Sequence, residues 1–394
     1  MAKLARHLAL AVLAALALGA ATARAAAPPA ERPIGVVESS SGDGPGLFSS
    51  LDPVSLEPAE PAAELPEWHG GYSFSPDRSQ AAFGISTGAP VNAGPGTRRV
   101  GVRMVDVATR QIVGDVRLGV YAQSVAWLEP DRIVALRSGG GSAALIDPVA
   151  RTVVGSRRVP TSGCLDPPWG QTRRALVSLS GRRVVTVDRD GNGRSVTLRE
   201  LPDDCALNSR ARRSGLAFDA AGERAFVVGT GRTVPEVDLR AMRVRRHTVP
   251  ASTARSVRYS RGLWLGGRKV AVAHQDSRGR PRGVDLLDPP AGRRRALDRG
   301  AGGVAFAAGR VLTFDGRRHA LPATETSTGL RAWTTGGRQR YRVLAGQRVF
   351  DLAVAGDYAY ARVPSGVRVV HVPTGEIVGS AALPEHSAIS LLAP

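Results

Sequence analysis

The sequence predicts an all-β chain organised as a single β-propeller, with seven blades of four antiparallel strands and eight as the alternative count. Three observations predict it. Short β-type runs alternate with Gly, Pro, Asp and Asn turns along most of the chain. No stretch sustains a 3.6-residue apolar period, so almost no helix is expected. One four-strand layout then recurs again and again. Short, evenly spaced strands with turn signals suit a sandwich, a barrel or a propeller, and the repeat decides among these.

Taken in order, the first element is an export signal. Lys3 and Arg6 give a positive start, Leu8 to Ala20 are apolar, and Ala23-Arg24-Ala25 is a small-x-small cleavage site. The apolar core is shorter than the ~20 residues a membrane span needs. No Cys follows the site, which argues against a lipid anchor, and no later segment is long and apolar enough to span. Residues 1–25 are therefore expected to be removed near Ala25, leaving a secreted or extracytoplasmic protein without a transmembrane span.

Residues 26–66 form an acidic, Pro- and Ala-rich lead-in, expected to be partly flexible and able to supply closing strands. Residues 26–67 hold eight acids and a single base, Arg32. The formal net charge of the whole chain is +19. Cleavage removes three bases and no acids, leaving +16, so the body after the lead-in carries about +23. Nearly all the base is Arg, because Lys occurs only at Lys3 and Lys269. Codon bias in a GC-rich genome is the plainer account of this, and an anion-binding surface is the functional alternative.

Residues 67–394 are expected to form the propeller. The clearest unit is SVAWLEPDRIVALRSGGGSAALIDPVARTVVGSRRVP, residues 124–160, which parses into four strands with Asp147-Pro148 at the third-to-fourth turn. The layout recurs at 72–118 and 349–383, with further copies between them; the unit at 301–344 is the least regular. Seven units in about 320 residues give about 46 each, the size of a propeller blade. A blade alone exposes both faces, so the ring has to close. The terminal HSAISLLAP resembles a blade's first strand, and GLFSSLDPVSLEPAEP resembles a third and fourth. The two chain ends are thus expected to share one composite blade. If that blade is additional to the others, the count rises to eight.

The segments VDVATRQIV, IDPVARTVV and VHVPTGEIV carry an x-D-x-x-T/P-G-x-x-V type turn. That turn resembles the divergent WD40-like and YVTN-type β-propeller superfamily over most of the chain after residue 25. The resemblance implies architecture and almost nothing about activity. No Trp-Asp ends a blade, no Gly-His starts one, and the YVTN tetrapeptide is absent. No functional residue carries over, since fold does not give function.

Candidate chemistry is sparse. Asp106, Asp147, Asp238 and Asp288 recur at the third-to-fourth turn, where a carboxylate accepts backbone N–H groups in an Asx-turn. Asp188, Asp190, Asn192 and Gly193 match the start of a calcium loop. Arg199 stands where the closing carboxylate belongs, with Glu200 one residue late, and the same letters make a good hairpin turn. Cys164 and Cys205 lie 41 residues apart, about one repeat, and fall near the first strands of adjacent units. In an exported chain they are expected to form a disulfide linking two blades. The histidines after residue 25 (His69, His247, His274, His319, His371 and His386) show no metal spacing. Arg293-Arg294-Arg295, Arg245-Arg246 and Arg317-Arg318 are read as solvated blade edges.

Catalytic, metal and cofactor residues are therefore assigned to none, and no cofactor is expected. The functional expectation is an exported, monomeric, non-catalytic propeller that binds a protein or an anionic cell-envelope ligand, and not nucleic acid, because few aromatics interleave with the Arg clusters. The alternative is a metal-dependent propeller hydrolase or lyase with its site at the channel mouth. A third reading is an accessory subunit attached to an envelope assembly through the lead-in.

Overall fold

The computed structural model describes residues 35–39, 46–50, 62–65, 68–87, 99–120, 122–137, 141–160, 169–172, 174–201, 214–219, 221–316, 327–382 and 388–392. The export signal, Cys164 and Cys205 lie outside these residues. Apart from one 3-10 turn at Pro289–Ala291, the regular secondary structure of the described residues is all strand.

Eight four-stranded antiparallel sheets stand among the described residues. In order, blades 1 to 7 span residues 68–117, 122–158, 169–197, 215–248, 259–298, 303–343 and 351–381. Blade 8 is composite. Its first strand is Ala388–Leu392, which pairs antiparallel with Gly35–Ser39 from the other end of the chain. Gly35–Ser39 pairs with Gly46–Ser50, and that strand with Ala63–Leu65. The count is thus eight, the alternative the sequence left open. The irregular 301–344 unit is a true blade, and the composite blade is additional to the other seven.

Blade 2 shows why these residues make these strands. Its central strands, Arg132–Arg137 and Ser142–Asp147, each bury the four residues between their ends. Successive side chains on a strand point to opposite faces. Ile133 and Ala135 accordingly pack toward blade 1, against Val102, Met104 and Val116. Val134 and Leu136 pack toward blade 3, against Leu176, Val185 and Val187. Both faces are covered, so the strands read as unbroken apolar runs rather than alternating ones.

The same two-sided packing continues around the circle. Apolar clusters join blades 3 and 4, 4 and 5, 5 and 6, and 6 and 7. Blade 7 meets the Ala388–Leu392 strand of blade 8. Phe48, Ala63 and Leu65 of blade 8 then pack on Phe74, Phe83 and Val105 of blade 1, completing the ring. The outermost strands are exposed, as in Thr152–Arg158 and Arg243–Thr248. Their Arg residues discourage edge-to-edge pairing.

One device recurs that the strand count alone did not reveal. In blades 1, 2, 5, 6 and 7 the third-to-fourth pairing shifts register through a bulge. Bulges increase local twist, and a blade of a closed ring needs strong twist. In blades 1, 2 and 7 the residue just beyond the bulge is Gly114, Gly155 or Gly379, the final letter of the IVG, VVG and IVG runs.

Closure can be tested at its most buried point. Phe48 and Phe83 are fully buried with ring centroids 5.2 Å apart. Phe48→Ala is expected to cost about 3–5 kcal/mol in denaturant unfolding, as other buried Phe truncations do. A cycle with Phe83→Ala should give a coupling of about 0.5–1.5 kcal/mol. Additive effects would mean that blades 8 and 1 do not pack there.

Candidate functional site

The up-and-down connectivity divides the ring's connections between two faces. First-to-second and third-to-fourth turns open on one face. Second-to-third hairpins and blade-to-blade crossings open on the other.

The first face is made of tight, self-satisfied turns, apart from the link from Ser50 to Ala63 in the composite blade. Asp106 Oδ1 accepts from the Thr109 N–H at 2.7 Å and its hydroxyl at 2.9 Å. Asp147 Oδ1 accepts from the Val149 and Ala150 N–H groups, both at 2.8 Å. Asp238 Oδ1 does the same with Arg240 and Ala241. These three are the structural turn residues the sequence predicts. Asp188 joins them, accepting from the Asp190 and Asn192 N–H groups at 3.0 and 2.8 Å. The calcium-like DRDGNG segment is therefore the third-to-fourth turn of blade 3. Asp288 departs from the pattern: it makes no cap bond and instead pairs with Arg293 at 2.8 Å. Pro289 and Pro290 follow it, and they lack the N–H groups an Asx-turn requires.

The three histidines whose side chains are described, His247, His274 and His371, do not converge. His247 meets Glu236 at 2.7 Å, His371 bonds Thr374 at 2.9 Å, and His274 lies in a separate cluster. The side chains of His69, His319 and His386 fall outside the description. Among the described residues, no group of three or more His, Cys, Asp or Glu side chains is placed to hold a metal.

The second face differs. Its longest connections run from Thr87 to Arg99, Arg158 to Trp169, Thr197 to Gly215, Thr248 to Tyr259 and Phe314 to Leu330. Two clefts open there. One, of about 380 Å³, is lined by Glu200, Ser214, Ser260 and the Gly229–Thr233 segment. The other, of about 350 Å³, is lined by Arg255, Arg282, Asp285, Asp298 and Arg299.

A buried polar cluster lies between the clefts, where blade 5 packs on blade 4. The Ser260 hydroxyl faces His274 Nδ1 at 3.0 Å, and His274 Nε2 faces Asp285 Oδ2 at 3.2 Å. Register explains the first contact, because Ser260 and His274 are cross-strand partners. Arg294 completes the cluster, 3.9 Å from Asp285. It also donates to the Gly229 and Thr230 carbonyls, at 2.8 and 3.1 Å, tying down the second-to-third hairpin of blade 4. Arg294 is thus not the solvated edge residue the sequence suggests. Its neighbours Arg293 and Arg295 are exposed.

Burial is the largest influence on Asp285 and pushes its pKa up. Hydrogen bonds from His274 and Ser252, with the charges of His274 and Arg294, outweigh burial and hold the carboxyl below its ordinary value. Ser260, His274 and Asp285 have the composition of a hydrolytic relay. The fully buried imidazole, placed side-on between paired strands, instead suits a cluster that fixes one blade on the next.

Comparison with known proteins bears on the fold. No family model matches the sequence, and no curated protein matches it. Solved structures do match. NirN, a dihydro-heme d1 dehydrogenase solved in complex with DHE, superposes with a TM-score of 0.59 at 15% identity, covering 89% of this chain and 73% of that one. The designed protein Ika8 gives 0.52 at 12% identity, over 80% and 88%. BamB from Moraxella catarrhalis gives 0.50 at 13% identity, over 84% and 96%. This chain is a divergent β-propeller. At such identities the likeness establishes the propeller's architecture and no ligand.

The propeller's buried cluster makes two checkable statements. Asp285→Ala leaves Arg294 buried without its partner, and should cost about 3–5 kcal/mol in urea unfolding. The lowered pKa of Asp285 means that its contribution is complete above the ordinary carboxylate value, about 4. It is lost as pH falls through the lower folded value. The stability gap between wild type and Asp285→Asn should therefore be widest near neutrality and narrow below about pH 4. A gap that stays constant down to pH 2 would contradict this charge state.

Proposed function

We propose that the chain is an exported, non-catalytic binding propeller, cut after Ala25, that works as a monomer and engages an anionic ligand of the cell envelope through its long-connection face. The observation that carries this reading is the difference between the faces. One face is built of tight turns whose Asp carboxylates bond their own backbone. The other carries the longest connections and the two clefts described above, with exposed Arg232, Arg255, Arg278 and Arg299 on its connections; the turn face has exposed arginines of its own, such as Arg151 and Arg240, but on tight turns. Arg presents planar donors suited to phosphate and carboxylate. Clustered positive charge at a cleft mouth also raises the local concentration of an anionic ligand. The reading includes a disulfide between Cys164 and Cys205, which lie outside the described residues, as an isolated cysteine pair in an exported chain suggests. Such a bond would staple two separate segments of the chain.

Retention of the purified 26–394 protein on isolated cell envelopes tests the face assignment. The pair Arg232→Glu and Arg278→Glu should lower retention several-fold, while Arg240→Glu on the turn face should leave it unchanged. Equal loss from both would replace a specific face with general charge attraction. For the cysteines, intact mass should lie 2 Da below the fully reduced value, as one disulfide requires. Reduction should cost about 2–4 kcal/mol of stability. A mass showing two free thiols would remove the staple.

A further inference from the structure

We infer that the cleft of about 350 Å³ beside blade 5 is a binding site for a phosphate ester of a small polyol or sugar, gripped by Arg255, Arg282 and Arg299. The inference rests on the binding reading above and names the ligand class of one site on that face.

Three separate segments bring the arginines together. Arg255 comes from the crossing between blades 4 and 5, Arg282 from the start of Pro281–Asp288, and Arg299 from the crossing to blade 6. Arg282 is held in place, because one of its terminal nitrogens donates to Asp276 Oδ2 at 2.5 Å. Asp276 in turn accepts from the Arg278 and Arg280 N–H groups, at 2.8 and 2.9 Å. The other terminal nitrogen of Arg282 has no hydrogen-bond partner among the described residues, and neither do the exposed guanidinium groups of Arg255 and Arg299.

Two carboxylates also line the cleft, and they would oppose an anion if they were unengaged. Both are withdrawn. Asp285 is 4% exposed and spoken for by His274 and Arg294. Asp298 is 3% exposed and accepts from Thr313 at 2.7 Å, Arg331 at 2.9 Å and the Gly300 N–H at 3.0 Å. Each acid is matched by an internal cation and Arg282 is matched by Asp276, so the unpaired Arg255 and Arg299 set the sign of the cleft, with Arg282 adding its free donors. Three guanidinium groups suit the nearly double charge and three oxygens of a phosphate ester better than a single carboxylate. The volume is at the small end of ligand sites and leaves room for a short polyol or one sugar beside the phosphate.

Titration calorimetry of the 26–394 protein with glycerol 3-phosphate tests this directly. Binding is expected, with affinity falling as salt rises, and glycerol alone should give no heat. Arg255→Ala and Arg299→Ala, both exposed and outside the core, should each weaken binding about tenfold. Arg240→Ala, exposed on the opposite turn face, should leave it within twofold. Vesicles containing phosphatidylglycerol and soluble poly(glycerol phosphate) separate a lipid source from a polymer source of the same headgroup. Whichever competes with glycerol 3-phosphate identifies it. Absence of binding by the wild type, or equal weakening by Arg240→Ala, overturns the site. If envelope retention persists while glycerol 3-phosphate fails to bind, the cleft assignment falls and the face assignment stands. If retention is lost as well, both fall.

Discussion

A four-stranded sheet that is apolar on both faces has no stable existence alone, and that constraint organises the molecule. Val134 and Ile133 are adjacent in sequence, yet they belong to cores on opposite sides of one blade. Every blade is therefore both wall and filling, and a row of blades would always leave two apolar faces in water. A closed circle removes them. This is why Gly35–Ser39 crosses the length of the chain to pair with Ala388–Leu392, and why Phe48 is as deeply buried as any residue of an uninterrupted blade. The junction of blades 8 and 1 is held by apolar packing like the others, while the strand ladder that joins the two chain ends lies within blade 8.

Much of this was legible in the sequence, for a physical reason. Two-sided burial writes unbroken runs such as RIVALR and SAALID, and tight turns write Asp at fixed offsets. The composite blade was legible too, because its pieces keep their strand character at either end of the chain. The exact count was not. A blade divided between the termini has no contiguous unit to match, and the first strand of blade 3 is only three residues long. The bulges were visible only as a repeated Gly after two apolar letters, a signal that points to a backbone kink once register is known.

The polar interior was illegible because it depends on pairing register, which no local pattern fixes. Ser260, His274 and Asp285 sit on three successive strands, and only their alignment brings them into one line. The run Arg293-Arg294-Arg295 shows the same limit. Three identical letters have two fates, because alternation along the strand sends the middle one inward and its neighbours outward. Arg294 is then charged with work at a distance: it secures Gly229 and Thr230 of blade 4 and neutralises Asp285 of its own blade.

That division of labour bears on the high Arg content. Base composition can enrich arginine everywhere, but it cannot choose which guanidinium groups acquire partners. Within single blades, Arg103 of blade 1 is bound to Asp115 and Arg293 of blade 5 to Asp288. Around the blade 5 cleft the opposite holds. The acids are buried and already matched, while Arg255 and Arg299 stand exposed on connections between blades. An anion seated between these two exposed guanidinium groups would give them the partners that the fold does not, so the charge left unmatched here is what the proposed site offers a ligand.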